Sequence, residues 1–181
     1  MTLESPDWRK VGSEIAAWAR TLASAAVYAT LIVTFGFQVA RVEGRSMEPA
    51  LHDQDRLVVN KLAYRLHDPE VGDVVMLFHP STPALSLVKR VIAAPGDTVA
   101  FRGGVVLRNG KAVDEAFLAP EFRSFEDRDP IIVPEGYYFV LGDHRNNSSD
   151  SRAFGPVPKR YIVGRVQVRW WPVADARAFR P

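Results

Sequence analysis

Residues 21–40, TLASAAVYATLIVTFGFQVA, form a long apolar run that contains no charged residue. A helix of about 20 such residues has the length needed to cross a hydrocarbon core about 30 Å thick. A buried core helix of this length normally shows a polar stripe. A cleaved secretory signal has a shorter apolar segment that ends in small residues, whereas Phe35 and Phe37 stand near the end of this run. We therefore expect residues 21–40 to form an uncleaved transmembrane anchor.

The basic residues around the run indicate its orientation. They are Arg9, Lys10 and Arg20 before it and Arg41 and Arg45 after it. Because positive charge favours the cytoplasmic side of a membrane, the small excess before the run favours a cytoplasmic N-terminus. This predicts a cytoplasmic segment over residues 1–20 and an extracytoplasmic domain over residues 41–181, with the lipid bilayer as a partner.

Composition excludes several kinds of chemistry. The chain of 181 residues has no cysteine, which rules out thiol catalysis, cysteine-bound zinc and disulfides. No Gly-rich phosphate loop is present, and the histidines, His52, His67, His79 and His144, show no metal-ligand spacing. The 23 basic and 21 acidic residues nearly cancel and form no long run of one sign, so nucleic acid is not an expected partner. We expect neither a metal nor a cofactor, and the oligomeric state stays open.

After Pro49 the chain changes to short β-prone runs separated by Pro and Gly, and Asn109-Gly110 is a strong hairpin signal. The predicted strands cover residues 56–59, 73–78, 85–93, 98–102, 105–108, 137–141 and 162–171. Residues 114–130 are charged and are expected to form a loop on the surface. The pattern predicts a mainly β domain of coiled antiparallel sheets or a barrel.

The last predicted strand has two distinct faces. Val166, Val168 and Trp170 alternate there with Arg165, Gln167 and Arg169. Because successive side chains of a strand point to opposite faces, this alternation predicts one buried face and one solvent-exposed face.

Ser46 lies in the turn sequence GRSMEPAL, residues 44–51, between Gly44 and Pro49. It lies six positions after Ala40. An extended chain covers roughly 3.3–3.6 Å per residue, so this segment spans at most about 20 Å. If the apolar run crosses a bilayer, the Ser46 hydroxyl is held close to the membrane surface.

Lys89 lies in the β-prone run LVKRVI, residues 87–92, where strand alternation places it on the same face as Leu87 and Val91. Burial lowers a lysine pKa from its reference value of about 10.4, and a fall of roughly two pKa units makes the amine a base near pH 8. A neutral lysine can then take a proton from a serine hydroxyl, as in Ser-Lys nucleophilic catalysis. The alternative is a lysine that reaches solvent from a sheet edge.

Ser86 is a misleading candidate, because Ser86 and Lys89 fit the S-x-x-K motif of β-lactamases and penicillin-binding proteins. The companion K-T-G motif is absent from the chain. On a strand, moreover, residues three apart point to opposite faces. We therefore reject Ser86 as a nucleophile.

Residues 141–155, LGDHRNNSSDSRAFG, place many polar side chains between two apolar stretches. A solvated loop is the ordinary interpretation of such a composition. Carboxylates, arginines and hydroxyls in one segment can also form a charge-assisted network that supports a site. The composition alone does not choose between these two interpretations.

Taken together, four segments resemble type I signal peptidases, the membrane-anchored serine proteases of bacteria. They are SMEPAL at residues 46–51, VGDVVMLF at 71–78, LVKRVIAAPGD at 87–97 and GDHRNNSSDSRAFGPV at 142–157. One segment is a weak signal, whereas four in the family's order behind an anchor are a strong one. The resemblance covers nearly all of residues 42–172 and implies the family's coiled β-sheet catalytic core, with residues 103–130 as a short version of its variable region.

The resemblance implies a role for each matching residue. Ser46 resembles the acylating nucleophile and Lys89 the general base. Ser148 is similar to the hydroxyl that orients the lysine amine, while Asp150 and Arg152 resemble an ion pair that holds the supporting loop. The residues similar to those lining shallow pockets for small side chains are Met47, Leu51, Leu87 and Val88.

The implied activity is an endopeptidase that removes signal peptides from exported preproteins after Ala-x-Ala, through an acyl-enzyme and without a cofactor. Two alternatives stay open: a dedicated Ser-Lys peptidase of the self-cleaving or conjugation type, and a catalytically inactive, membrane-tethered β-domain that binds extended peptides. Gly44 stands where some relatives have a serine hydroxyl that assists the oxyanion, so the second oxyanion donor is unassigned. His144 stands where asparagine is common and is expected to be structural.

Overall fold

The computed structural model describes residues 8–179, and the chain divides into two compact units between Phe37 and Gln38. The first unit contains the helix α1 (Trp8–Gly36). Its part Gly12–Gly36 is 25 residues long and, by length and composition, sufficient to cross a membrane. Leu22, Tyr28 and Phe35 are each more than half exposed, which is the opposite of what a soluble core helix shows.

The bounds of α1 differ from those predicted for the anchor. Residues 8–20, which were predicted as part of a separate N-terminal segment, belong to the helix, and residues 1–7 of that segment lie outside the described residues. At the other end the helix stops at Gly36, and residues 37–40 of the apolar run belong to a strand. Glycine is a poor helix former, and Phe37 and Val39 suit a strand, so the apolar run contains two kinds of structure.

The regular elements that follow α1 are mainly strands. They are β1 (Phe37–Arg41), β2 (Arg56–Asn60), β3 (Val74–His79), β4 (Thr82–Ala93), β5 (Thr98–Arg102), β6 (Val105–Arg108), β7 (Lys111–Ala112), β8 (Arg128–Ile132), β9 (Tyr137–Leu141), β10 (Val157–Pro158), β11 (Ile162–Trp171) and β12 (Arg177–Ala178). Two helices of four residues, α2 (Ala63–Leu66) and α3 (Ser151–Phe154), lie between them. The predicted mainly β class is confirmed.

Among the described residues, the strands form two antiparallel sheets. The larger has the order β1-β2-β11-β3-β4-β9-β10, with β12 paired to β11, and the smaller has the order β7-β6-β5-β8. All seven predicted strands are present, and four of them have the predicted bounds: β5, β6, β9 and β11. Asn109 and Gly110 both have positive φ, as the predicted two-residue hairpin turn requires.

The predicted surface excursion contributes strands to the smaller sheet. Residues 103–130 contain β6 and β7 and the first part of β8, and this sheet also includes β5. Val99, Phe101 and Val106 of the smaller sheet pack in one buried cluster with Phe139 of β9 in the larger sheet. The prediction of a loop over residues 114–130 is therefore wrong at its end, where β8 begins at Arg128.

The alternation predicted for β11 changes part-way along the strand. Val166 is fully buried, but Arg169 is also buried and Trp170 is exposed. The register with β2 shifts between Val166 and Val168, and a shift of one residue exchanges the two faces of a strand. Arg169 is stabilised inside by an ion pair with Asp55 at 3.0 Å. The prediction that Trp170 shares the buried face of Val166 is wrong.

An apolar cluster joins residues 47 and 51, which flank the Glu48-Pro49 dipeptide, to the larger sheet. Its members are Val42, Met47, Leu51, Leu57, Val59, Val74, Met76 and Val166. Leu57 of β2 and Leu51 are both completely buried in it. The cluster therefore fixes the backbone on either side of Glu48-Pro49 to β2, β3 and β11.

We expect Leu57→Ala to lower the free energy of unfolding by about 2–5 kcal/mol, because the substitution removes buried apolar surface and leaves a cavity. Denaturant unfolding of the full chain in neutral detergent, followed by tryptophan fluorescence, measures the change. Leu66→Ala is the matched control, since Leu66 is 78% exposed. Equal losses in the two variants would contradict the packing described here.

Candidate active site

The turn that carries Ser46 is held by hydrogen bonds at both ends. Gly44 has a φ of 87°, a conformation that side chains with a Cβ rarely adopt, and its N–H donates to Asp53 Oδ1 at 2.8 Å. At the other end Leu51 N donates to Met47 O at 2.8 Å. Ser46 is half-buried between these two anchored ends. Because the Gly44 N–H is used by Asp53, it is not free to serve as an oxyanion donor in this conformation.

Lys89 reaches Ser46 from β4. Its Nζ lies 2.6 Å from Ser46 Oγ, although 43 residues separate the two along the chain. Lys89 sits opposite Val75 of β3, and only 1% of its surface is exposed. The predicted strand alternation therefore places the lysine inward, and the structure brings the two predicted catalytic residues together.

Burial changes the acidity of this amine. It lowers the pKa of Lys89 to about 8, against the opposing effect of the carboxylates of Asp150 and Asp143. A fall from the ordinary value of 10.5 to about 8 corresponds to about 3 kcal/mol against the protonated form. A substantial fraction of the amine is therefore neutral in mildly alkaline solution, which is the form that can accept a proton.

The loop after β9 is organised by the carboxylate of Asp150, which is fully buried. It accepts hydrogen bonds from Gly142 N at 3.0 Å and from Arg152 Nε and Nη2, each at 2.8 Å. It also caps the start of α3 by accepting from Arg152 N. Burial alone would raise the pKa of this carboxyl, but the hydrogen bonds and charge of Arg152 hold the pKa below its usual value. The predicted ion pair between Asp150 and Arg152 is present.

The same loop contacts the backbone around Ser46. His144 N donates to Ser46 O at 3.1 Å, and His144 Nδ1 lies 3.0 Å from Arg45 O, where a proton on Nδ1 makes a hydrogen bond. The ring of His144 packs edge-on against Phe122 at 4.9 Å. A Cβ on Gly142 would lie 2.4 Å from Ser46 O, so only glycine fits there. His144 and Gly142 thus set the position of the Ser46 peptide, in keeping with the structural role predicted for His144.

A cleft of about 340 Å³ opens beside Ser46. Its walls include Met47 from the turn and Leu87 and Val88 from β4, three of the four residues predicted to form pockets for small side chains. The fourth, Leu51, does not line the cleft, because it is completely buried in the apolar cluster behind Met47. The prediction for Leu51 as a lining residue is corrected accordingly.

Ser148 does not make the contact predicted for it. Its buried Oγ makes no hydrogen bond to the Lys89 amine in this conformation, and its interaction with Asp150 helps to keep the pKa of that carboxyl low. The Ser148 hydroxyl instead lies close to Gly142, where a Cβ would meet it at 2.2 Å. Ser86, the rejected nucleophile, is exposed and stands opposite Phe78 of β3.

The family model described as "Signal peptidase, peptidase S26" matches residues 15–171. The chain belongs to this family. The resemblance inferred from the four sequence segments is confirmed, and the protein is a serine peptidase of the kind that cleaves signal peptides.

Several signal peptidases are similar to this chain over most of its length. The probable signal peptidase I-2 of Synechocystis is 42% identical over 163 residues, which cover 85% of this chain and 72% of the relative. The signal peptidase I of Leptolyngbya laminosa is 38% identical over 174 residues, covering 91% and 83%. That of Bacillus amyloliquefaciens is 37% identical over 169 residues, covering 88% and 87%. A solved signal peptidase I from Enterococcus faecalis aligns with 55% of this chain and 97% of its own, at 29% identity and a TM-score of 0.47.

Three carboxylates that stabilise the site of this signal peptidase were not found by sequence reasoning. Asp143 is completely buried and pairs with Arg90 at 2.6 Å. Glu126 pairs with Arg152, and Glu115 pairs with Arg145. The partners are 53, 26 and 30 residues apart in the chain. A single acidic residue in a polar segment gives no local signal of such a partner, so these pairs become visible only in the fold.

We expect Asp150→Asn to lower the free energy of unfolding by about 3–5 kcal/mol, because it leaves the Arg152 guanidinium without its buried counter-charge. Urea or guanidinium unfolding of the detergent-solubilised protein measures the loss. The matched control is Asp68→Asn, which removes the exposed pair with Lys159. Exposed pairs contribute only about 0–1 kcal/mol. A comparable effect of the two substitutions would mean that Asp150 does not organise the loop.

Proposed function

We propose that this signal peptidase cleaves preproteins with a Ser46–Lys89 dyad. The proposal is carried by one observation: a lysine amine removed from water lies 2.6 Å from a serine hydroxyl. A nucleophile and its base must be within about 2.6–3.2 Å for proton transfer. The lowered pKa of Lys89, about 8, makes the neutral amine available in mildly alkaline solution.

In the proposed reaction, neutral Lys89 takes the proton of Ser46 Oγ as the oxygen attacks the carbonyl carbon of the scissile peptide. The resulting ammonium gives its proton to the leaving amine, and the new N-terminus departs. Lys89, neutral again, then takes a proton from water as that water attacks the acyl-enzyme ester. The Lys89 ammonium returns this proton to Ser46 Oγ as the signal peptide is released, which regenerates the Ser46 hydroxyl and the neutral amine. Each step moves one proton and needs no cofactor.

The cleft beside Ser46 suits a substrate with small side chains before the cut. Strand β4 pairs with β9 only from Arg90 onwards, so the neighbouring backbone of residues 84–88 has an edge that can pair with an extended peptide. Met47, Leu87 and Val88 give the cleft apolar walls and a volume of about 340 Å³. We infer that these walls accept alanine at the residue before the cut and two residues earlier, and exclude larger side chains sterically.

We further propose that residues 1–20 face the cytoplasm and that residues 41–181 work on the outer side of the cytoplasmic membrane. The basic residues Arg9, Lys10 and Arg20, together with the apolar helix that follows, support this orientation. Exported preproteins present their cleavage sites on that side, so the substrate and the Ser46 hydroxyl share a compartment.

Replacing either member of the dyad tests the mechanism. We expect kcat/KM for a preprotein with an Ala-x-Ala site to fall by at least about 10⁴-fold in Ser46→Ala, which has no nucleophile. In Lys89→Met it should fall by about 10²–10⁴-fold, the range for loss of a general base. The measurement uses the full chain in neutral detergent, with product analysed by mass spectrometry.

Ser81→Ala is the matched control, since it removes an exposed serine hydroxyl that does not line the cleft and should leave kcat/KM within about twofold of the parent. Full cleavage by Ser46→Ala would refute the dyad. Cleavage of a substrate whose last alanine is replaced by leucine would show instead that the cleft does not select small residues.

The pH dependence of kcat/KM tests the base. Because protonated Lys89 cannot accept a proton, kcat/KM should rise about tenfold per pH unit below a pKa of about 8 and level off above it. Initial rates between pH 6 and 10 give the profile, and unfolding measurements over the same range show where the protein stays folded. A flat profile over the folded range would exclude Lys89 as the base.

A further inference from the structure

A second cavity, of about 570 Å³, lies in the unit formed by residues 38–181. One wall is the end of β4, with Val91 and Ile92, and another is the hairpin of β6 and β7 with the residues after it, including Val113 and Phe117. None of its lining residues lines the cleft beside Ser46. The cavity has the size of small-molecule binding pockets, which are about 300–1,000 Å³.

The polar residues of this cavity are mostly cationic. Arg90, Arg108, Lys111 and Arg145 line it, against one carboxylate, Asp114. Of these cations, Arg90 already forms an ion pair with Asp143, which does not line the cavity. Within residues 8–179, Arg108 and Lys111 have no ion pair. The cavity therefore has a positive electrostatic potential that its own carboxylate does not neutralise.

Arg145 gives the most specific indication of a ligand. It is only 4% exposed, its Nε donates to Gly142 O at 2.9 Å and its Nη1 pairs with Glu115. Its Nη2 is buried and has no acceptor among the described residues. Burial lowers the pKa of Arg145 to about 10, so the guanidinium is still protonated at neutral pH. A buried, charged donor without an acceptor is unfavourable, and an anion in the cavity would supply the acceptor.

We propose that this cavity binds a small organic anion, whose phosphate or carboxylate group accepts hydrogen bonds from Arg145, Arg108 and Lys111. The apolar part of the ligand packs against Phe117, which is 45% exposed and whose ring centroid lies 4.8 Å from the Arg90 guanidinium. The same chemistry is offered by a soluble organic phosphate and by the head of an anionic phospholipid. The inference stands independently of the dyad proposed above.

The site is joined to the loop behind Ser46 through a single guanidinium. Arg145 Nε holds Gly142 O, and Gly142 N in turn donates to Asp150. A ligand on Arg145 would therefore contact the residue that also fixes this loop. No such link passes through Arg108 and Lys111, which makes these two the residues to vary.

Isothermal titration calorimetry with phenyl phosphate, on the full chain in a neutral maltoside detergent, tests the proposal. We expect the double variant Arg108→Gln/Lys111→Gln to bind at least about tenfold more weakly than the parent, because it loses two charge-assisted donors. The matched control is Arg65→Gln/Arg160→Gln, which removes the same charge from exposed positions outside the cavity and should bind within about twofold of the parent.

Two further variants separate the parts of the site. Phe117→Ala should weaken phenyl phosphate by about fivefold or more while leaving inorganic phosphate nearly unchanged, because only the former has an apolar body. Ala112→Trp, which fills the cavity without changing its charge, should weaken both probes. Comparing dihexanoyl phosphatidylglycerol with glycerol phosphate then shows whether the natural source of the anion is a lipid head or a soluble phosphate.

Equally weakened binding of phenyl phosphate in the two double variants would overturn the proposal. It would mean that binding depends on the net charge of the protein and not on the residues of the cavity. Absence of binding by every probe at millimolar concentration would also overturn it and would mean that the cavity holds water only. Preprotein cleavage by Arg108→Gln/Lys111→Gln is expected within about twofold of the parent, so a failure of this site is distinguishable from a failure of the dyad.

Discussion

The Lys89 amine lies where water does not reach it, and this desolvation is the constraint on which the rest of the domain depends. A protonated amine is unfavourable at such a position, so the fold must supply rigid walls that prevent solvent from entering. Strand β3 lies on one side of Lys89, and the turn with Ser46 closes the other. The apolar cluster that contains Met47 and Leu51 keeps that turn in place. The chemistry of the Lys89 side chain therefore depends on packing several residues away.

The carboxylates around the site are paired with arginines, so that burial has the largest effect on the pKa of the Lys89 amine. Asp150 and Asp143 are both completely buried, and each would by itself favour an ammonium on Lys89. Each carboxylate is instead engaged by an arginine, Arg152 or Arg90, which leaves burial as the dominant influence on the amine. The loop of residues 142–155 thereby stabilises the fold without restoring the lysine's full basicity.

The parts of the fold that the sequence predicted are those with strong local signals. Strands β5, β6 and β9 have β-branched or aromatic runs with Pro, Gly or Asn at their ends, and their bounds were predicted correctly. Strand β1 was missed because Phe37–Arg41 continues the apolar run, and β8 because its sequence RDPII is charged, contains Pro130 and is exposed. The bulge in β11 has no composition signal at all, and it reversed the predicted environment of Arg169 and Trp170.

Sequence reasoning likewise predicted the features of the site that have a local signal and missed the others. Alternation along β4 predicted the inward direction of Lys89, but the pairing with Ser46 came from the resemblance to a family, since no local rule connects residues 43 positions apart. The ion pairs of Glu115 and Glu126 could not be predicted from the sequence, because two residues that pair across the fold leave no periodic pattern along the chain. Whether Ser148 Oγ contacts the Lys89 amine depends on a side-chain rotation that no sequence pattern specifies.

The contacts of Glu115 and Glu126 have a consequence for how this domain can be re-engineered. Residues 103–130 look like an insertion that could be trimmed or exchanged between relatives as a module. Two arginines of the loop behind the nucleophile, Arg145 and Arg152, nevertheless obtain counter-ions from this segment. A shortened chimera would inherit the arginines without those carboxylates, so transplantation requires the loop and the excursion to be exchanged as one unit.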